Sequence, residues 1–261
     1  MLDIEDLKKA LVRFNLSLEI AKADLRKSYN RTVIGPFWET ISLGLLLSIM
    51  SIVWSQIIKS DDVSYVPYLV IGMVVWRFIS QVLNSSSWLF IERDDIIKYF
   101  NIPLSSLAIT KVIYAIFIFF HHLPLIFIFC FYYKINLIHL NLFYLLYGIV
   151  VFIITSYSIS LLIGILTLRF RDMISLINTI TSVMIFFTPI LWSPDKLSGK
   201  TKFYVIDFNI IYHYIELIRQ PFLGNAPSNL NISVTLVSTL FLLTFALFIL
   251  NKFKSKIRYW I

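Results

Sequence analysis

The sequence predicts an all-α integral membrane protein with six transmembrane helices, and three observations carry that prediction. Hydrophobic residues fill 58% of the 261 positions and charged residues 15%, with a mean hydropathy of +0.80. One soluble core could not hide so much apolar surface. The apolar residues gather in six stretches close to the roughly 20 residues that a helix needs to cross bilayer hydrocarbon. The cations behind the net charge of +8 sit in short clusters between those stretches, as at the cytoplasmic flanks of membrane helices, and not along a polar face suited to nucleic acid.

Residues 1–30 form an element of their own. Leu7, Leu11, Phe14, Leu18, Ala21 and Leu25 recur at three- and four-residue steps as one apolar stripe, with Lys8, Lys9, Glu19, Lys22 and Arg26 largely off it. Such an amphipathic helix suits the cytoplasmic membrane interface, its cations near anionic lipid head groups; packing on a soluble partner is the plainer alternative. The segment is charged and lacks a continuous apolar core, so no cleavable signal peptide is expected. Spans are expected at about 36–58, 66–90, 107–133, 142–168, 174–192 and 232–250. Without repeats, low-complexity tracts or a long linker, residues 31–261 read as one transmembrane domain.

A seventh apolar segment, Phe203–Leu223, carries Asp207, Glu216 and Arg219 and is broken by Pro221 and Gly224. Each charge is costly at the bilayer centre. The segment is therefore expected to form short re-entrant helices on the outer side, shielded by surrounding protein. Counting Lys and Arg sets the orientation. Seven fall before the first span, three between the second span and the start of the third, two after the fourth and four in the tail. These sixteen face six on the other side (Lys59, Lys134, Lys196, Lys200, Lys202 and Arg219), which places both termini in the cytoplasm.

Catalytic chemistry finds little footing. Gly199-Lys200-Thr201 ends like a phosphate-binding loop, but the glycine required five residues earlier is Pro194, so ATP hydrolysis belongs to another polypeptide. Cys130 is the only cysteine, which excludes an intramolecular disulfide. His121 and His122, adjacent on a helix, point about 100° apart and are poorly placed to share a metal, while His139 and His213 read as isolated in outer loops. No cofactor, metal or catalytic residue is expected.

Arg77 is the sharp anomaly, a cation near the middle of the second span. Glu39, close to the cytoplasmic end of the first span, is expected to lie too far away to pair with it. Arg77 either bonds backbone carbonyls and reaches for the surface, or faces a wet cavity or anionic ligand. Aromatic residues are abundant, with 23 Phe, 14 Tyr and 6 Trp. Belts and lipid-facing positions account for many. Phe37 and Trp38 opening the first span, and Phe186, Phe187 and Trp192 in the fifth, are candidates for stacking on sugars.

Several segments together resemble the permease subunit of type-2 ABC exporters that move capsular polysaccharide, O-antigen or teichoic acid. They are Arg26-Lys27-Ser28-Tyr29-Asn30-Arg31-Thr32-Val33-Ile34-Gly35-Pro36-Phe37-Trp38, the Pro67, Gly72 and Trp76 spacing, and Ile91-Glu92-Arg93-Asp94-Asp95-Ile96-Ile97-Lys98 with Pro103. Further along they are Arg169-Phe170-Arg171-Asp172, Thr188-Pro189-Ile190, and Ile215-Glu216-Leu217-Ile218-Arg219 followed by Leu223-Gly224. The likeness covers nearly the whole chain in order, although a proline usual soon after the first-span tryptophan is replaced by the Ser42-Leu43 neighbourhood and Asn209 precedes Ile210 instead of proline.

The resemblance implies a homodimer in the bacterial cytoplasmic (inner) membrane, working with two copies of a separate ABC ATPase and exporting a lipid-linked glycan. It further implies that the first and fifth spans line the pore, which makes Phe37, Trp38, Phe186, Phe187 and Trp192 channel residues, and Arg77 in the second span is expected to face the same channel. The ATPase would be coupled through Glu92, Arg93, Asp94, Asp95 and Lys98, and an outer gate would hold Glu216 and Arg219. An exporter of lipids or small hydrophobic compounds is the alternative. A multi-span acyltransferase would need a His or Asp at a membrane face, and none is persuasive.

Overall fold

The computed structural model describes residues 3–58, 65–100, 102–135, 140–194 and 197–261; Lys59, His139 and Lys196 lie outside them. Every element among the described residues is helical. The chain opens with α1 (Ile4–Val12) and α2 (Phe14–Ser28), followed by α3 (Phe37–Ile58) and α4 (Tyr65–Ser86). A 3-10 turn, Ile91–Arg93, leads into the short α5 (Asp94–Tyr99). Then come α6 (Leu104–Tyr132), α7 (Leu142–Arg169) and α8 (Met173–Phe187). After the single turn of α9 (Gly199–Lys202) and a π-helical turn at Phe203–Asp207, α10 (Ile210–Phe222) and α11 (Asn229–Trp260) complete the chain.

Among the described residues, four helices are long and apolar enough to cross a membrane: α4, α6, α7 and the Asn229–Ile257 part of α11. The apolar stretch Phe37–Val53 of α3 and all of α8 are shorter. The 15 residues of α8 rise only about 22 Å against a hydrocarbon core of about 30 Å. Helix α8 stops five residues before the expected end of its span because Pro189 forces Thr188 into extended backbone, with φ −80° and ψ 139°. Helix α4 ends at Ser86 instead of residue 90, and α11 runs ten residues past the expected end of the last span. Its basic tail is held from outside: Lys254 Nζ lies 2.8 Å from both Asp3 Oδ2 and Asp6 Oδ1.

Helix α4 packs against α3, α6, α7, α8 and α10. Close approach at the crossings depends on small residues, as it does in membrane bundles. A Cβ at Gly164 would stand 2.6 Å from Leu89, and one at Gly148 would stand 2.8 Å from Ile218. Short interhelical hydrogen bonds also tie the bundle, Ser86 to Ser160 between α4 and α7 and Thr155 to Thr239 between α7 and α11, each at 2.8 Å. Two apolar clusters result. One gathers Leu89, Phe90, Leu107, Leu161 and Leu250 near the termini, and the other gathers Leu47, Leu69, Ile126, Ile190 and Ile215 at the distal end.

The N-terminal segment departs from the single stripe expected. It is two helices broken at Arg13, and both pack on α6 of the same chain. Asp6, Ala10, Ser17 and Ala21 are buried there, while Leu11 and Phe14 are exposed. Asp6 Oδ2 accepts from the Ser105 backbone N–H at 2.9 Å, supplying a partner for one of the free donors that open α6. Ser17 Oγ donates to the Ser106 carbonyl at 3.0 Å.

Candidate functional site

At the distal end, the non-helical turn Thr188–Leu191 is buried, so its carbonyls need donors from elsewhere. Tyr65 of α4 donates to Leu191 O at 2.6 Å, and Tyr68 donates to Pro189 O at 3.2 Å. Arg219 Nη1 of α10 reaches Pro189 O at 3.1 Å and Glu216 Oε1 at 2.5 Å. Asn209, the N-cap of α10, donates from Nδ2 to Thr188 Oγ1 at 3.1 Å. The two expected gate residues are therefore brought together, one helical turn apart, with side chains 1% (Glu216) and 0% (Arg219) exposed. Gln220 Nε2 donates to the second Glu216 oxygen at 2.5 Å.

The guanidinium fits there because two α4 residues make room for it. Its carbon stands 3.7 Å from the Tyr68 ring centroid, a cation–π contact. Its Nη2 occupies the space that a Cβ at Gly72 would take. The cluster thus joins α4, the turn after α8 and α10 around one buried charge pair. His213, expected to be isolated in a loop, is instead buried inside α10, with Nδ1 2.7 Å from Asn231 Oδ1 and Nε2 2.9 Å from Asp207 O.

On the half of the bundle nearer the termini, Arg77 and Glu39 overturn the expectation that they stand apart: Arg77 Nη2 lies 3.8 Å from Glu39 Oε2. Because α4 ends at Ser86, Arg77 is nine residues from that end, about 14 Å, and its long side chain covers much of the remainder. Tyr29 donates to Glu39 Oε1 at 2.7 Å, and burial, then the Glu39 charge, pushes its phenol above the usual tyrosine range. The adjacent histidines take separate partners, His122 Nδ1 meeting Thr40 Oγ1 at 3.2 Å and His121 Nδ1 the Phe117 carbonyl at 2.6 Å.

Arg77 also begins a stripe that sequence reasoning missed. Arg77, Ser80, Gln81 and Asn84 recur at helical spacing on one face of α4, and all four are half-buried or exposed. Glu39 of α3 meets one end of the stripe, and Thr181 Oγ1 of α8 lies 3.5 Å from Asn84 Oδ1 at the other. The polar face is thus bounded by α3 and α8, with Arg77 exposed and Ser80, Gln81 and Asn84 half-buried. The signal was in the sequence, as polar residues at steps of three and four within an apolar span. The aromatic candidates border this region on α3 and at the end of α8. Phe37, Trp38, Phe186 and Phe187 are exposed, and Trp192, half-buried, donates to the Phe186 carbonyl at 3.2 Å.

The segment around α5 is fastened to the rest of the chain by three of its expected coupling residues, Lys98 among them through its Nζ, 3.5 Å from the Ile261 carbonyl. Glu92 pairs with Lys111 of α6 at 2.8 Å and Arg93 pairs with Asp24 of α2. Asp94 and Lys98 pair with each other at 3.4 Å along α5. Asp95, Tyr99 and Phe100 are left facing outward, and the two rings were not singled out from sequence. Among the described residues, no group of three or more His, Cys, Asp or Glu side chains could hold a metal ion.

A family model described as ABC-2 type transporter matches residues 18–223, well over half the chain and including the stripe, the α5 segment and the buried gate pair. The chain belongs to the ABC-2 type transporter family. Two relatives named O-antigen export system permease protein RfbA, both from Klebsiella pneumoniae, are 25% identical over 247 residues and 23% identical over 243 residues, each covering 93% of both chains. With several apolar helices, this ABC-2 permease is a multi-pass inner-membrane protein, and permeases of the family are transmembrane components without ATPase activity of their own.

Proposed function

We propose that two copies of this permease form the transmembrane path of an ATP-driven exporter of lipid-linked polysaccharide of the O-antigen type. The observation that carries the reading is the polar stripe Arg77–Ser80–Gln81–Asn84. Polar side chains at membrane depth are not left against lipid; they face protein or a water-filled cavity. One protomer leaves Arg77 exposed and Ser80, Gln81 and Asn84 only half-buried, and a second copy would complete the enclosure. Exposed rings on α3 and at the end of α8 suit stacking on sugar faces, which attracts a passing polymer with little directional demand. Names of the two relatives support O-antigen as the cargo.

In this reading α3 and α8 also traverse the bilayer, giving six spans with both termini in the cytoplasm, and α9 and α10 are re-entrant from outside. Residues 1–30 lie at the cytoplasmic interface. Glu92 and Arg93 brace the α5 segment, while Asp94, Asp95 and Lys98 meet one of two partner ATPase subunits. Glu216 and Arg219 belong to the outer gate.

Arg77 meets negative charge on the lipid-linked substrate, with Glu39 as its partner between substrates. Surface polysaccharide in cells that depend on this permease tests the assignment. Arg77→Lys is expected to keep partial export, because charge persists without the bidentate fork, and Arg77→Leu to abolish it with the protein still inserted. Full export by the leucine variant would overturn the role.

A further inference from the structure

A second feature of the bundle lies away from the polar stripe. A cavity of about 460 Å³ opens between α4, α6, α7 and α10, and every side chain lining it is Val, Leu, Ile or Phe. Exposed side chains on its rim open the space to the outside of the bundle, so what surrounds the helices can enter it. Water and sugar are excluded as occupants because no polar lining group could replace their hydrogen bonds. Only hydrocarbon fits.

The geometry points to a binding site for one acyl chain of a bilayer phospholipid. The cavity is open to the membrane, since Phe120 and Phe127 of α6 and Ile149 and Ile153 of α7 line it and are also exposed on the outer surface of the bundle. Its depth along α7, from Leu145 to Ile153, is about 12 Å, close to the roughly 15 Å of one leaflet's hydrocarbon. One end lies at Leu140 and Leu145, beside the start of α7, where a head group would meet the interface. That length suits a phospholipid tail, whereas a polyprenyl carrier would leave most of its chain outside.

The site also touches the gate. Its wall on one side is Ile218 and Phe222 of α10, and Ile218 is the neighbour of Arg219. Phe222 further meets Phe127 across the cavity, with ring centroids 6.4 Å apart in a T-shaped arrangement. A tail in the cavity therefore packs on the back of the helix whose front carries the buried Glu216–Arg219 pair. The inference does not depend on which cargo is exported.

The test uses the full-length permease in nanodiscs containing a phospholipid with a diazirine near the end of one acyl chain. After illumination, peptides are mapped by mass spectrometry. Label is expected to concentrate on α6 and α7 peptides that line the cavity, well above the equally exposed Phe241–Phe245 surface of α11. Ile149→Trp and Ile153→Trp, each filling the rim from a partly exposed position, should return α6 labelling to the level of that α11 surface without lowering the melting temperature. Label spread evenly over all lipid-facing helices, or undiminished in both tryptophan variants, would overturn the site. So would a polyprenyl diazirine probe that labels the cavity while the phospholipid probe does not. The wild-type map decides the matter even if a variant fails to fold.

Discussion

Arg219→Met removes the positive half of a pair whose two side chains are 0% and 1% exposed, so no discount for solvent screening applies. Glu216 keeps Gln220 as a donor but becomes a buried, uncompensated carboxylate, and Pro189 loses one of its two donors. Breaking a buried pair in this way costs about 3–5 kcal/mol. At about 2–4 °C per kcal/mol for a chain of this size, melting should fall by roughly 6–20 °C. Cys130 supplies the assay: it is the only cysteine and is buried, so a thiol-reactive fluorophore reports unfolding without any engineered site. Glu216→Gln should fall comparably. The double variant Glu216→Gln/Arg219→Met should lose less than the sum, with a coupling energy of about 2 kcal/mol, since neither charge is then left alone. A melting temperature for Arg219→Met within about 2 °C of the parent would refute the claim that this pair fastens α4, α10 and the turn after α8.

Two further outcomes concern the partner and the cargo. Reversing Asp94 and Asp95 to lysine should leave insertion intact while uncoupling ATP hydrolysis from export, and Tyr99→Ala with Phe100→Ala should weaken co-purification of the ATPase; unchanged coupling and co-purification would place the ATPase elsewhere. Alanine at Trp38, Phe187 or Trp192 should lower surface polysaccharide, and another aromatic at each site should restore much of it; if all three alanine variants export normally, the rings serve only packing or lipid contact.

Helix α7 coincides with its apolar run, which stops at the Arg169–Asp172 loop, whereas α6 begins at Leu104, three residues before the expected 107, because Pro103 opens the helix. The expected end of the fifth span overran because hydropathy continues to Trp192 while Pro189 has already changed the backbone. The N-terminal stripe is borne out at Leu7, Leu18 and Ala21, which pack on the bundle, and fails at Leu11 and Phe14, which flank the break at Arg13 and are exposed. Arg77 was legible as an anomaly, but its partner was not, since the depth argument placed the end of α4 four residues too late and ignored side-chain reach. The Tyr68 and Gly72 cradle of Arg219 could not be read at all. It joins residues about 150 positions apart through packing, and no local pattern encodes that.

The account rests on the α4 stripe facing water inside the membrane. Cysteine accessibility in sealed membranes measures this directly, against a native thiol at Cys130 that is buried. Gln81→Cys and Ser80→Cys should react with a charged, membrane-impermeant thiol reagent and be protected when polysaccharide is being exported. Phe241→Cys, exposed on the far surface of α11, should stay unreactive because the reagent does not enter lipid. If Gln81→Cys and Ser80→Cys are as inert as Phe241→Cys, the stripe faces lipid or packed protein and the proposed path does not run along α4.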